Sequence, residues 1–280
     1  MKNPTLSAGY DRLRTLIYEE SGIRLTDARL PHLAAGLGWR MHVLKEPSHD
    51  AYLARAADRS SGELEELLES VVTGETAWFR DQAQFDFFSK NIFPEWRRNV
   101  RDGRRSVRAW SAGCATGEEV YSLAMLVLDH FPGPSGWSVD VLGSDLSRVS
   151  LARAREGVWP IAAADDLPSQ YPRRFMLRGY GAEEGSMKAG SLLRTVTEFR
   201  RINLNIPPYP TSGAFDLIFC RNVLIYFDAA SAGRVIRALT RCLADGGYLV
   251  VGSSEVLMTT DPRLQRVAPG IYELKEKADR

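Results

Sequence analysis

The run Ser106-Val107-Arg108-Ala109-Trp110-Ser111-Ala112-Gly113-Cys114-Ala115-Thr116-Gly117-Glu118-Glu119 constrains the fold more than any other stretch of the chain. It reads as a short strand, a turn of small residues and the start of a helix. The helix continues through Tyr121, Leu123, Ala124 and Leu128, which recur near the 3.6-residue period. A strand that hands bare backbone to a helix N-terminus is where an open α/β sheet holds a nucleotide-like ligand. Gly113 and Gly117 are four apart, so the turn is not the G-x-G-x-x-G fingerprint, and no Gly-Lys-Ser/Thr ending makes it a P-loop. Glu118 and Glu119 close the turn, where a phosphate would meet like charge.

Acid at that place suits a ligand with hydroxyls and a positive charge, and S-adenosylmethionine (SAM) has both. A second strand-like run, Trp137 to Gly143, ends in Ser144-Asp145-Leu146. An acidic residue there is placed to accept hydrogen bonds from ribose hydroxyls. The alternative is that Gly113 and Gly117 only make a tight turn and Asp145 only caps a helix from Ser147. Their coincidence at the ends of neighbouring strands favours a nucleoside site. Strand and helix keep alternating over 106–260, with a strand at Phe215–Cys220, a helix at Ala230–Leu243 and a strand at Tyr248–Gly252. That alternation predicts a mostly parallel, doubly wound sheet. Gly113, Asp145, Asn203 and Arg221-Asn222 then fall together at carboxyl ends of strands, where such sheets bind ligands.

The remainder divides into a helical front and a short insert. Residues 1–72 read as helices: a stripe of Leu13, Leu16 and Ile17, a helix opening on Pro31, one capped by Ser48, and one with Leu64, Leu67, Leu68 and Val71 inward. Glu63, Glu65, Glu66 and Glu69 on the last of these read as a solvated face. A further helix, with Phe85, Phe88 and Ile92 inward, is expected to stop at Pro94. Arg97 to Arg105 is a basic run without interleaved aromatics, which reads as an exposed loop rather than a nucleic-acid patch. Residues 171–202 read as a small antiparallel insert, with Leu192–Val196 and Thr197–Ile202 alternating like strands.

Charge and cysteine content narrow the class of partner. A formal net charge of +1 gives no general reason to expect nucleic acid or an acidic membrane. Cys114, Cys220 and Cys242 are odd in number and in no metal or C-x-x-C spacing, and His32, His42, His49 and His130 are scattered. No metal site is expected. The N-terminal residues lack the apolar core of a signal peptide, and no run approaches the ~20 apolar residues that span a bilayer. These features predict a soluble cytoplasmic protein with reduced thiols and no membrane insertion.

Several of these runs together resemble the chemotaxis receptor protein-glutamate methyltransferases (CheR type). The resemblance rests on Thr76-Ala77-Trp78-Phe79-Arg80-Asp81, on Ser111 to Glu119, on Gly143-Ser144-Asp145, on Asn203-Leu204, and above all on Phe215 to Asp228. It holds in order and spacing from about residue 10 to 275. It implies an α/β protein: a small all-helical N-terminal domain (1–75), then a Rossmann-like class I SAM methyltransferase domain (76–280) carrying the antiparallel β-subdomain insert. It implies methylation of glutamate side chains on the helical cytoplasmic arms of chemoreceptors, giving methyl esters and S-adenosylhomocysteine. By the same resemblance Thr76, Arg80, Gly113, Glu118, Glu119, Asp145, Asn203, Leu204, Asn222 and Val223 hold SAM, and Arg80, Arg221 and Tyr226 orient the substrate carboxylate.

Read from the residues alone, other roles stay open: a surface salt bridge for Arg80, core packing for Tyr226, and a structural pair with Asp216 or Asp228 for Arg221. Two other functions also remain, a SAM enzyme acting on a small carboxylate and a non-catalytic receptor-docking module that senses SAM. The chain departs from the family pattern at Gly74, where a turn asparagine is usual. It also departs in the helix 28–44, which is strongly basic in the family and here carries few charges and two glycines, Gly36 and Gly38. In some members the β-subdomain takes a receptor's C-terminal tail peptide by strand addition.

Overall fold

The computed structural model describes residues 4–72, 74–98, 105–253, 255 and 261–275. Four helices come first: α1 (Pro4–Ser21), α2 (Leu30–Leu44), α3 (His49–Ala57) and α4 (Glu63–Val71). Pro31 sits in the first turn of α2, where its missing N–H leaves no bond unmade. Ser48 caps α3, its Oγ accepting the Ala51 N–H at 3.2 Å. The Leu64, Leu67, Leu68 and Val71 stripe is buried against Leu13, Ile17, Leu33 and Leu37, which gives the bundle its own core.

The acidic run on α4 corrects the expectation of a solvated face. Glu63 is buried, and its carboxylate accepts Arg40 Nε and Nη2 at 2.8 and 2.6 Å and the Tyr52 hydroxyl at 2.8 Å. Burial pushes that carboxyl up, but the bonds from Arg40 and Tyr52 outweigh it and hold the group below its ordinary value. Glu66 pairs with Arg148, Glu65 pairs with Arg201 at 3.2 Å, and Glu69 accepts the Ser147 hydroxyl at 2.8 Å and the Arg148 N–H. Glu65, Glu66 and Glu69 therefore form the seam between the helical bundle and the sheet, while Glu63 ties α4 to α2 and α3.

The next helix does not stop at Pro94. It runs as α5 (Gln82–Phe87), a π turn (Phe88–Ile92) and α6 (Phe93–Arg98). The π turn widens the ladder just before Pro94, with the Phe93 N–H reaching back to the Phe88 carbonyl, and so relieves the clash a proline makes in a regular helix. Of the basic run, 99–104 lie outside the described residues, as does Thr73.

The sheet unit follows as β1 (Ser106–Ala112), α7 (Glu118–His130), β2 (Ser138–Asp145), α8 (Arg148–Glu156), β3 (Val158–Pro160), α9 (Tyr171–Phe175), β4 (Met176–Arg178), β5 (Ser186–Ala189), α10 (Ser191–Val196) and β6 (Thr197–Arg201). Then come β7 (Phe215–Cys220), α11 (Ala229–Thr240), β8 (Leu243–Val251), β9 (Leu264–Ala268) and β10 (Ile271–Leu274). Seven strands are ordered β6-β2-β1-β7-β8-β10-β9, parallel from β6 to β8 and antiparallel at β10 and β9. Alternate residues of β1 enter opposite cores, Val107 and Ala109 on one face and Trp110 and Ala112 on the other, so both faces are covered.

The insert differs from its expected bounds. The small sheet, ordered β3-β5-β4 and antiparallel, starts at Val158 and ends at Ala189. Leu192–Val196 is helical, and Thr197–Arg201 is the edge strand of the main sheet, parallel to β2. Their alternating pattern was ambiguous because α10 is barely more than one turn long and buries only Leu193. Among the described residues no helix is long and apolar enough to cross a membrane, and no cluster of His, Cys, Asp and Glu could hold a metal ion.

Candidate active site

The chain builds outward from β1 through β2 to β6, then returns to the other side of β1 at β7. The crevice at that reversal, outside the carboxyl ends of β1 and β7, is where open α/β sheets bind ligands. A cleft of about 970 Å³, counting the space open to solvent, lies there. The end of β1 brings Gly113 into it, the end of β2 Asp145, and the end of β6 Asn203 and Leu204. The loop after β7 brings Arg221, Asn222, Val223 and Tyr226, and the loop before α5 brings Arg80. Of the residues expected at the site, Thr76, Glu118 and Glu119 do not line the cleft.

Gly113 has φ +87°, and a Cβ there would lie 2.3 Å from Val223 Cγ2. The bare backbone lets the turn after β1 approach the loop after β7, which is what a cradle at this crevice needs. Asp145 is almost fully buried and accepts the Ala115 and Ser147 N–H groups at 2.8 and 2.9 Å, one on each oxygen. Burial pushes its carboxyl up, against the pull of the backbone N–H groups of Ser147, Ala115 and Leu146. Each carboxylate oxygen has two acceptor positions, so both can still take a hydroxyl from the cleft. The side chain that caps α8 is Ser147, whose Oγ accepts the Ser150 N–H at 3.0 Å.

Arg221 is buried, and its Nε and Nη1 groups are engaged by the protein. Nε donates to Glu119 Oε2 at 2.7 Å, and Nη1 donates to the Arg80 carbonyl and to Gln84 Oε1 at 3.1 Å. Its ion-pair partners are Glu119 and, at 3.6 Å, Asp81, rather than Asp216 or Asp228. Glu119 also accepts the Ser111 hydroxyl at 2.7 Å. Arg80 itself is exposed, between Phe79 and Asp81, both at positive φ (45° and 57°). Ala115 and Asn222, at φ 49° and 57°, are also site residues. Backbone held in sparsely populated regions gathers where a site needs fixed geometry.

Three contributions were invisible in the sequence. Glu255, buried beyond β8, accepts the N–H groups of Asn222 and Gly252 at 2.8 and 2.7 Å and of Ile225 at 3.2 Å, and so holds the loop after β7. The only signal for it is an acid a few residues past a strand end. The helical bundle also walls the cleft: Ser21 and Ile23 line it, Ile23 bridges to Phe227, and the Arg24 N–H donates to the Tyr226 carbonyl at 2.7 Å. The Arg29 guanidinium lies 4.3 Å over the Tyr226 ring. Asn203 faces both units, its Nδ2 donating to the Glu20 carbonyl at 2.8 Å. Cys114 and Cys220, beside the cleft, are buried, and burial pushes both thiols up, away from the reactive thiolate.

These groups fit SAM: a buried carboxylate to accept ribose hydroxyls, apolar walls from Ile202, Leu204 and Val223 for a flat ring, and a glycine turn where backbone approaches closely. The family model "CheR methyltransferase, SAM binding domain" matches residues 74–271, and "CheR methyltransferase, all-alpha domain" matches residues 8–72. The chain is similar to chemotaxis protein methyltransferase 2 of Pseudomonas aeruginosa, 30% identical over 263 residues that cover 94% of this chain and 91% of that protein. It is also similar to the chemotaxis protein methyltransferase of Escherichia coli (strain K12), 32% identical over 271 residues that cover 96% and 91%. Both halves of the chain are matched, and the cleft stands where the sheet reverses: the chain belongs to the CheR methyltransferase family, SAM-dependent methyltransferases with a helical domain in front of the cofactor domain.

Proposed function

We propose that the cleft binds SAM and that the protein methylates glutamate side chains on the cytoplasmic helical arms of chemoreceptors, giving glutamate methyl esters and S-adenosylhomocysteine. The observation that carries this reading is the pairing, in one cleft, of the buried Asp145 carboxylate with Arg80 and Tyr226 toward solvent. When bound, SAM supplies a methyl group already activated on a sulfonium. A glutamate, with an ordinary pKa of about 4.3, reaches the cleft as a carboxylate near pH 7. Its oxygen forms the bond to the methyl carbon as the carbon–sulfur bond breaks and its electron pair stays on sulfur. No proton moves, so no general base is required, and among the described residues no histidine lines the cleft.

The protein's task is then to position two reactants within roughly 3–3.5 Å and in line, and to exclude the water that blunts a carboxylate. In this reading Asp145 anchors the ribose, Asn203, Leu204, Asn222 and Val223 flank the adenosine, and Thr76 with the Glu118/Glu119 pair stands behind the lining residues at the methionine end. Arg80 and the Tyr226 hydroxyl receive the incoming carboxylate. Arg221, already bonded to Glu119 and to the Arg80 carbonyl, acts by holding the Arg80 loop.

The receptor meets a surface with little free charge. On α2, Arg40 is taken up by Glu63, while Trp39 and Val43 are exposed. Incubation with labelled SAM and receptor cytoplasmic fragments tests the proposal. Base-labile methanol should be released from the receptor, and Tyr226→Phe and Arg80→Ala should each lower kcat/KM by about ten- to a hundredfold, the cost of one hydrogen bond to a charged group. Label in a small molecule, or no transfer at all by protein that binds SAM, refutes it.

A further inference from the structure

We infer that Trp159, on the small sheet, is a positioning residue for the cofactor cleft, acting through Glu118. Trp159 stands at the middle of β3, opposite Met187 of β5, and its ring is buried. Its indole Nε1–H donates to Glu118 Oε1 at 2.9 Å, while Glu118 Oε2 accepts the Thr116 hydroxyl at 2.7 Å. Both oxygens of the first residue of α7 are thus held, one by the cofactor turn itself and the other by the insert. The same ring meets Trp78 edge-on at 4.8 Å and Tyr121 at 5.2 Å. Trp78 lies two residues from both Thr76 and Arg80. The next residue, Phe79, gives its N–H to Ser122 Oγ at 3.0 Å, and Ser122 in turn donates to the Glu118 carbonyl at 2.7 Å. One side chain of the insert therefore touches two segments that carry lining residues on to the cleft: the turn from Gly113 and Ala115 into α7, and the stretch that brings Gly74, Glu75 and Arg80.

Geometry rather than bulk is the point of this contact. A carboxylate at the start of a helix has several rotamers open to it, and hydrogen bonds on both oxygens leave one. An indole N–H is the stiffest donor available, because its ring is clamped between Trp78 and Tyr121. The small sheet is thus part of the cofactor site's framework, and any shift of β3 moves Glu118 and Trp78 together.

The inference rests on the proposed reading of the cleft as the SAM site, and calorimetry with S-adenosylhomocysteine separates the two. Wild type that binds no S-adenosylhomocysteine overturns that reading and this inference with it. Trp159→Phe keeps an aromatic ring between Trp78 and Tyr121 but removes the N–H together with part of the ring; it should weaken S-adenosylhomocysteine about tenfold or more. Glu118→Ala should do the same, and the double variant should be no weaker than Glu118→Ala alone, because the two side chains act as one. Thermal melting without ligand should move little for Trp159→Phe. Glu118→Gln leaves the whole aromatic cluster in place and should also lose affinity, which keeps the test independent of folding of the tryptophan variant. Unchanged affinity in Trp159→Phe, or losses that add in the double variant, overturns the inference while leaving the function intact.

Discussion

Replacing Glu119 by alanine isolates what the ion pair beneath the cleft does. Arg221 and Glu119 side chains are 1% and 9% exposed, and Nε and Oε2 are 2.7 Å apart. Glu119→Ala leaves the guanidinium buried with Asp81, at 3.6 Å, as its one remaining ion-pair partner among the described residues, and strips the Ser111 hydroxyl of its acceptor. Breaking one side of a buried pair costs about 3–5 kcal/mol. Unfolding entropy of about 2.1 cal/mol/K per residue makes the 280-residue chain lose roughly 0.6 kcal/mol per degree near its midpoint. The melting temperature should therefore fall by about 5–9 °C. Because Arg221 also holds the Arg80 carbonyl, methyl transfer should fall further than folded fraction alone explains. Glu119→Gln, which keeps one acceptor oxygen of the two and no charge, should lie between. Circular dichroism melts, with S-adenosylhomocysteine calorimetry at a temperature where each variant is folded, make the measurement. A Glu119→Ala protein that melts within 2 °C of wild type, against the ~5–9 °C worked from the broken pair, would show that the pair does not hold this end of the sheet.

Gly113→Ala should weaken S-adenosylhomocysteine at least tenfold by calorimetry: φ +87° costs a side chain about 1–2 kcal/mol, and its Cβ would meet Val223 Cγ2 at 2.3 Å. Glu63 titrates lower in the folded chain than its ordinary value. Its stabilisation is thus full above about pH 4.3 and is lost as pH falls through the folded value. Glu63→Gln should lower the melting temperature near pH 7 and flatten its decline below about pH 4.3; a parallel decline in both proteins would contradict the assignment.

The parts of the fold legible in the sequence are those where one local rule acts alone. Leu64, Leu67, Leu68 and Val71 make a stripe that only a half-buried helix can use, and all four are buried. Ser106–Ala112 and Phe215–Cys220 became the adjacent central strands β1 and β7 because hydrophobic runs bounded by small or polar turns have few other uses in an α/β chain. Legibility failed where two rules competed. Pro94 signals a helix end, yet a π turn before it lets the helix continue to Arg98. Leu192–Val196 alternates like a strand, but so short a run samples both periods, and with Leu193 buried it forms part of the six-residue helix α10.

At the site the same distinction operates between naming a residue and knowing which of its bonds are already made. Strand-end logic brought Gly113, Asp145, Asn203 and Arg221 to one crevice because the order of strands alone fixes it. It could not say that Arg221's Nε and Nη1 are taken up by Glu119, Arg80 and Gln84, since those partners lie 102, 141 and 137 residues away. An arginine can fork a substrate carboxylate only with N–H groups that the protein has not already used. In the proposed reading the carboxylate meets Arg80 and Tyr226, whose loops are held by Arg221 from below and by Ile23, Arg24 and Arg29 of the helical bundle from the side. The helical domain therefore forms a wall of the cleft, through Ser21 and Ile23.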